Sequence, residues 1–133
     1  MTKSIQKIIM LGCFDTKGED FSYLYKCLID QGEQVISINT GVMEARVDFS
    51  IDFDAESAAN SAGTSLQKLR NSGDRGKAVE VMGKGAGIII TTLVSENKIK
   101  GAIGMGGGGG TYIALSAMQE IPLGIPKLCL TTI

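Results

Sequence analysis

The 133-residue chain contains no histidine. That absence excludes Ser-His-Asp and Cys-His catalysis and every histidine-ligated metal within this sequence. Any chemistry must use carboxylates, lysine, thiols or backbone groups. Cysteine is scarce as well. Cys13, Cys27 and Cys129 are odd in number and form no CxxC pair, so neither a disulfide framework nor a zinc site is expected, and the cytoplasm is the expected compartment. An excess of either charge is also missing: 13 basic and 14 acidic residues leave a formal net charge of −1, which gives no electrostatic case for nucleic acid or an anionic membrane. Long apolar runs are lacking too. Gly87 to Val94 falls far short of the ~20 residues of a membrane span, and Ile8 to Leu11, ahead of Gly12-Cys13, is short for the apolar core of a signal peptide.

What is abundant is glycine, and it is concentrated. Gly106 to Gly110 form an unbroken run, followed by Thr111 and flanked by Ile103 and Tyr112-Ile113-Ala114-Leu115. Ordering such a run costs roughly 0.5–1 kcal/mol per residue relative to alanine. A flexible linker is the plain alternative, but the run lacks serine and its flanks are apolar. Bare backbone N–H groups ahead of a helix suit a phosphate or carboxylate, so the run reads as an anion-binding loop.

The remaining pattern alternates strand and helix. Ser4 to Gly12 ends in a continuous apolar run, as in a strand buried on both faces of a parallel sheet. Phe21, Leu24, Tyr25, Leu28 and Ile29 keep helical spacing, closed by Gly32. Gln34 to Asn39 is a second strand, and residues 41–73 read as an extended piece followed by short helices. From Asp74, a suitable N-cap, a near-3.6 period runs to about Asn97. Ile88-Ile89-Ile90-Thr91-Thr92 alone favours a strand, but the topology needs a crossover helix there. Lys100 to Met105 is a third strand, Thr111 to Glu120 a helix, Pro122 and Pro126 bracket a turn, and Lys127 to Ile133 is a fourth strand.

These elements predict an α/β fold, a Rossmann-like three-layer sandwich with a parallel sheet of about four strands in the order 2-1-3-4. Residues 1–133 then form a single nucleotide-binding subdomain. Ending on an apolar strand, it is expected to be the N-terminal part of a longer protein. In this order the connections after strands one and three diverge, and ligands bind at that switch point. Two loops meet there, Cys13 to Gly18 and Gly106 to Gly110.

Thr16 and Glu19 fit a T-x-x-E capping box, which accounts for both without a ligand. Lys17 is different, since a cation at a helix N-terminus opposes the macrodipole, and its ammonium can reach an anion on the glycine loop. Asp15 can cap, hold a metal-bound water or bond a ribose hydroxyl. Arg75 and Lys77 can add positive charge, or be a solvated helix end. Gly104-x-Gly106-x-x-Gly109 matches the dinucleotide fingerprint but does not follow the first strand, and Gly110-Thr111 lacks the Walker lysine. Gly107 to Thr111 resembles the GGDGT loop of NAD and diacylglycerol kinases with its aspartate missing, which weakens the case for metal-assisted phosphoryl transfer.

Leu11-Gly12-Cys13-Phe14-Asp15-Thr16-Lys17-Gly18-Glu19, Gly73-Asp74-Arg75, Gly104 to Thr111 and Ile121 to Lys127 together resemble one family. It is the ATP-binding domain family of the tomato mosaic virus resistance protein and its bacterial relatives. The resemblance implies a Rossmann-like subdomain followed by a second one, ATP (with or without magnesium) as ligand, and a homo-oligomer. For the plant member it implies inhibition of viral replication through the viral replicase. The expected ligand-binding residues are Asp15, Thr16, Lys17, Gly18, Gly106, Gly107, Gly108, Gly109, Gly110 and Thr111, with no protein-held metal and no assigned catalytic residue. Two alternatives stand beside nucleotide binding: an enzyme acting on a phosphorylated or carboxylated metabolite through Cys13 or Lys17, and a partner-binding domain without ligand.

Overall fold

A computed structural model describes residues 5–132. Ser4 and Ile133, placed by sequence in the first and fourth strands, lie outside the described residues. The element order is β1 (Lys7–Gly12), α1 (Gly18–Asp30), β2 (Val35–Asn39), α2 (Ala55–Ser61), α3 (Leu66–Ser72), α4 (Arg75–Ser95), β3 (Ile99–Gly106), α5 (Gly108–Met118) and β4 (Lys127–Thr131). All strand pairings are parallel and the sheet order is β2-β1-β3-β4, as the alternating pattern requires.

Side-chain alternation along β1 divides the core into two layers. Ile9 and Leu11 point into the larger one, with Met82, Ala86 and Ile90 of α4 and Ile113, Ala117 and Met118 of α5. Met10 points the other way, into a smaller cluster with Phe14 and with Phe21 of α1. Phe21 lies so close over Gly12 that a Cβ there would overlap its ring. Helices therefore cover both faces of the sheet, with β1 at its centre.

Residues 41–53 are extended, but they are not a regular strand. They meet β2 through one parallel bridge, Ile38 with Phe53, and Val47, Phe49 and Ile51 turn alternate side chains onto the Phe14 cluster. The extended piece expected from the sequence thus packs against the sheet edge without a full hydrogen-bond ladder. The short helices follow, each with a side-chain cap: Asp54 accepts from Ser57 N–H and Ser65 from Lys68 N–H.

Helix α4 is continuous through the β-branched stretch, so crossover topology overrides local propensity. Asp74 caps it by accepting the Lys77 N–H. By length and composition alone α4 could cross a membrane, yet it lies between α2 and α5. Two glycines let these neighbours approach: a Cβ at Gly85 would strike the Ala58 carbonyl, and one at Gly83 would press on Ser116 at 3.0 Å.

The glycine run is not the loop its composition suggests. Gly106 ends β3, Gly107 is the N-cap of α5, and Gly108, Gly109 and Gly110 are its first helical turn. Glycine's poor helix propensity is overridden by the packing of α5 on α4 and β3. Gly106 is required by that close turn, since a Cβ would overlap the backbone of Gly110 and Thr111.

Candidate functional site

The carboxyl ends of β1, β2 and β3 open into one cavity of about 270 Å³. Its lining brings together Asp15, Thr16 and Lys17 from the β1–α1 connection and Gly107, Gly109 and Gly110 from the start of α5. The two expected segments do converge, although about 90 residues separate them.

Four of the expected residues do not line the cavity. Gly18 is buried beneath the crossing chain, where a Cβ would overlap the Arg46 carbonyl. Gly106 is buried at the strand-to-helix turn, and Gly108 faces open space. The Thr111 hydroxyl donates to the Gly106 carbonyl at 3.0 Å and lies 2.8 Å from Thr131 Oγ1, tying α5 to the ends of β3 and β4.

The capping box is likewise absent. Lys17 occupies the N-cap position of α1 and no side chain caps the helix. Asp15 explains the difference, because its Oδ1 accepts the Thr16 N–H at 2.8 Å while the Lys17 N–H bonds back to the Cys13 carbonyl at 3.0 Å. The other Asp15 oxygen accepts the Met43 N–H at 3.1 Å. A Cβ at Gly41 would fall on this carboxylate, so Asp15 clamps the loop after β2 to the loop after β1.

Several lining residues lay outside the sequence-based site. Thr40, Gly41 and Val42 come from the end of β2, and Ala78, Val79 and Met82 from the first turns of α4, with Ile113 of α5 behind them. They make one wall apolar. Asn39, not itself in the lining, joins two of the surrounding loops: its buried Oδ1 accepts the Phe14 N–H at 3.1 Å and the Gly41 N–H at 2.9 Å. Asn-Thr-Gly at the end of a strand is a turn signal that could have pointed to this part of the site. Arg75, noted in the sequence as a weaker candidate, lines the cavity, whereas Lys77 does not.

The electrostatics favour an anion. The N-terminal turns of α4 and α5 contribute lining residues, as does Lys17, the N-cap of α1, and helix N-termini carry partial positive charge. Gly109 and Gly110 belong to a first turn whose N–H groups have no intrahelical acceptor. Lys17 and Arg75 add two formal charges, and neither forms an ion pair among the described residues. Asp15 is the single acidic lining residue. Burial pushes the Cys13 thiol above the ordinary value of 9.0, against a lowering contact with Thr40 at 3.6 Å, and the Asp15 charge raises it further. Cys13 is therefore a neutral thiol at physiological pH and a poor nucleophile.

Magnesium needs oxygen ligands, in most sites one or two carboxylates together with substrate phosphates. The donor set here does not fit that requirement: the one lining carboxylate is directed at two backbone N–H groups, and the described residues contain no cluster of three or more His, Cys, Asp or Glu that could hold a metal.

Comparison with known proteins matches residues 6–133 to the N-terminal domain of an uncharacterised protein family, UPF0261. A UPF0261 protein of Clostridium tetani is 41% identical over 129 residues, covering 96% of this chain and 31% of the relative. One from Rhizobium meliloti is 32% identical over 129 residues, again covering 31% of the relative. The ToMV resistance protein Tm-1(GCR237) of Solanum lycopersicum is 26% identical over 141 residues, covering 96% of this chain and 19% of the plant protein. The chain thus spans about a third of the length of these bacterial relatives. With almost the whole chain matched to that N-terminal domain and the resemblance to the tomato protein confirmed, the chain belongs to the UPF0261 family.

Proposed function

We propose that this domain binds a phosphorylated ligand, with ATP the leading choice, in the cavity at the switch point of the sheet. One observation carries the reading: Lys17 and Arg75 stand at helix N-termini, where the macrodipole disfavours cations, and both border the same cavity without a carboxylate partner among the described residues. Charges in that position are stabilised by an anion between them. The first-turn N–H groups of Gly109 and Gly110 receive phosphate oxygens, and the wall of Val79, Met82 and Ile113 receives an apolar face such as a nucleobase. Binding, not phosphoryl transfer, is the function proposed.

Calorimetric titration of the chain with ATP, ADP and adenosine tests this. Affinity should rise with phosphate number. Lys17→Ala should weaken ATP about tenfold, or ~1.4 kcal/mol, and leave adenosine nearly untouched. No detectable binding of ATP or ADP at millimolar concentration would sink the reading.

A further inference from the structure

We infer that the site takes its phosphate ligand free of divalent metal, with Lys17 and Arg75 supplying the neutralisation that magnesium supplies elsewhere. The inference rests on the phosphate-binding reading and adds the ionic form of the ligand.

Its ground is the way the one carboxylate of the cavity is used. Asp15 is the acidic side chain of the lining, and its two oxygens accept the N–H groups of Thr16 and Met43. Turning it toward a metal would break both bonds and release the loop that packs under it at Gly41. Asp74, next to Arg75 in sequence, is also engaged, its Oδ1 accepting the Lys77 N–H at 3.0 Å. The Thr40 hydroxyl is paired with the Cys13 sulfur. A magnesium ion on the ligand would thus enter a site whose unpaired charges are two cations and whose one lining carboxylate already accepts two backbone N–H groups.

Charge balance leads to the same result. A triphosphate stripped of magnesium carries more negative charge than its metal complex, and two cations with the N-termini of α4 and α5 match the stripped form better. Magnesium and the protein then compete for the same phosphate oxygens. Added magnesium should lower the apparent affinity for ATP, with a much smaller effect on AMP, which chelates the ion weakly.

The experiment is a titration of the chain with ATP in EDTA and again in excess magnesium chloride, with AMP as the second ligand. Tighter ATP binding in EDTA, by severalfold, supports the inference. Binding that appears only with magnesium overturns it and leaves the phosphate-binding reading standing. Absence of binding in both buffers overturns that reading as well. Arg75→Met, at an exposed helix end whose loss should leave the fold intact by circular dichroism, gives an independent arm. It should weaken ATP in EDTA about tenfold and narrow the difference between the two buffers. Wild-type affinity of Arg75→Met in EDTA would overturn the role given to this residue and with it the inference.

Discussion

The buried side chain of Asn39 accepts the Phe14 N–H at 3.1 Å, fastening the β1–α1 connection to the end of β2. The same oxygen accepts the Gly41 N–H, so one amide organises two of the loops that form the cavity. Asn39→Ala would leave two buried donors without an acceptor, at about 1–3 kcal/mol each. The expected result is a loss of about 2–6 kcal/mol in urea unfolding, with ligand affinity falling as the loops separate.

Glycines in α4 allow a prediction of opposite signs within one helix. At Gly85 an added Cβ meets the Ala58 carbonyl, a backbone group that can move only by displacing α2. Gly85→Ala should therefore destabilise by about 1–3 kcal/mol or more. At Gly76 the nearest atom is Asp74 Oδ1, at 3.6 Å, so Gly76→Ala meets ordinary contact and gains helix propensity. It should stabilise by about 0.5–1 kcal/mol. Thermal or urea unfolding of the two variants checks the sign of each.

The contrast shows what a sequence can convey. Strand order, the crossover role of α4 and the meeting of the loops after β1 and β3 were legible, because parallel βαβ units leave few alternatives. The start of α5 was not, because three consecutive glycines carry no helical signal and are helical only through packing on α4 and β3. Nor was the place of Arg75 in the same cavity as Lys17 decidable, since it depends on tertiary packing of α4. Asp15 illustrates a third case: its residue type fits capping, metal or ribose, and its bonds to the Thr16 and Met43 N–H groups, one of them across 28 residues of sequence, are a use the sequence did not suggest.

Thr111 tests that division between ligand contact and support. Its hydroxyl is used at the Gly106 carbonyl and Thr131 Oγ1, away from the cavity lining. Thr111→Val keeps the shape and removes these bonds. Stability should fall by about 1–2 kcal/mol. Affinity for ATP, measured well below the unfolding transition, should stay within about twofold, less than ~0.5 kcal/mol. A loss of affinity like that expected for Lys17→Ala would instead put the hydroxyl on the ligand.

Cys13 gives a prediction in pH. Its thiol ionises less readily in the folded chain than the ordinary value of 9.0, chiefly because the side chain is buried. Below that value both folded and unfolded chains hold the proton, and the stabilising contribution is complete. As pH rises past 9.0 the unfolded chain releases its proton first, so stability falls until the folded thiol ionises as well. Unfolding midpoints measured from pH 8 upward should decline faster for the wild type than for Cys13→Ala, whose baseline stability is lowered by loss of the sulfur and its contact with Thr40. Alkylation by iodoacetamide gives a second measure. Cys13 should react slowly in the folded chain near neutral pH and quickly in urea, and bound ATP should slow it further, because Cys13 borders the cavity beside Gly110. Rapid alkylation of Cys13 in the native chain at pH 7 would show an accessible thiolate and restore the case for a nucleophile at this site.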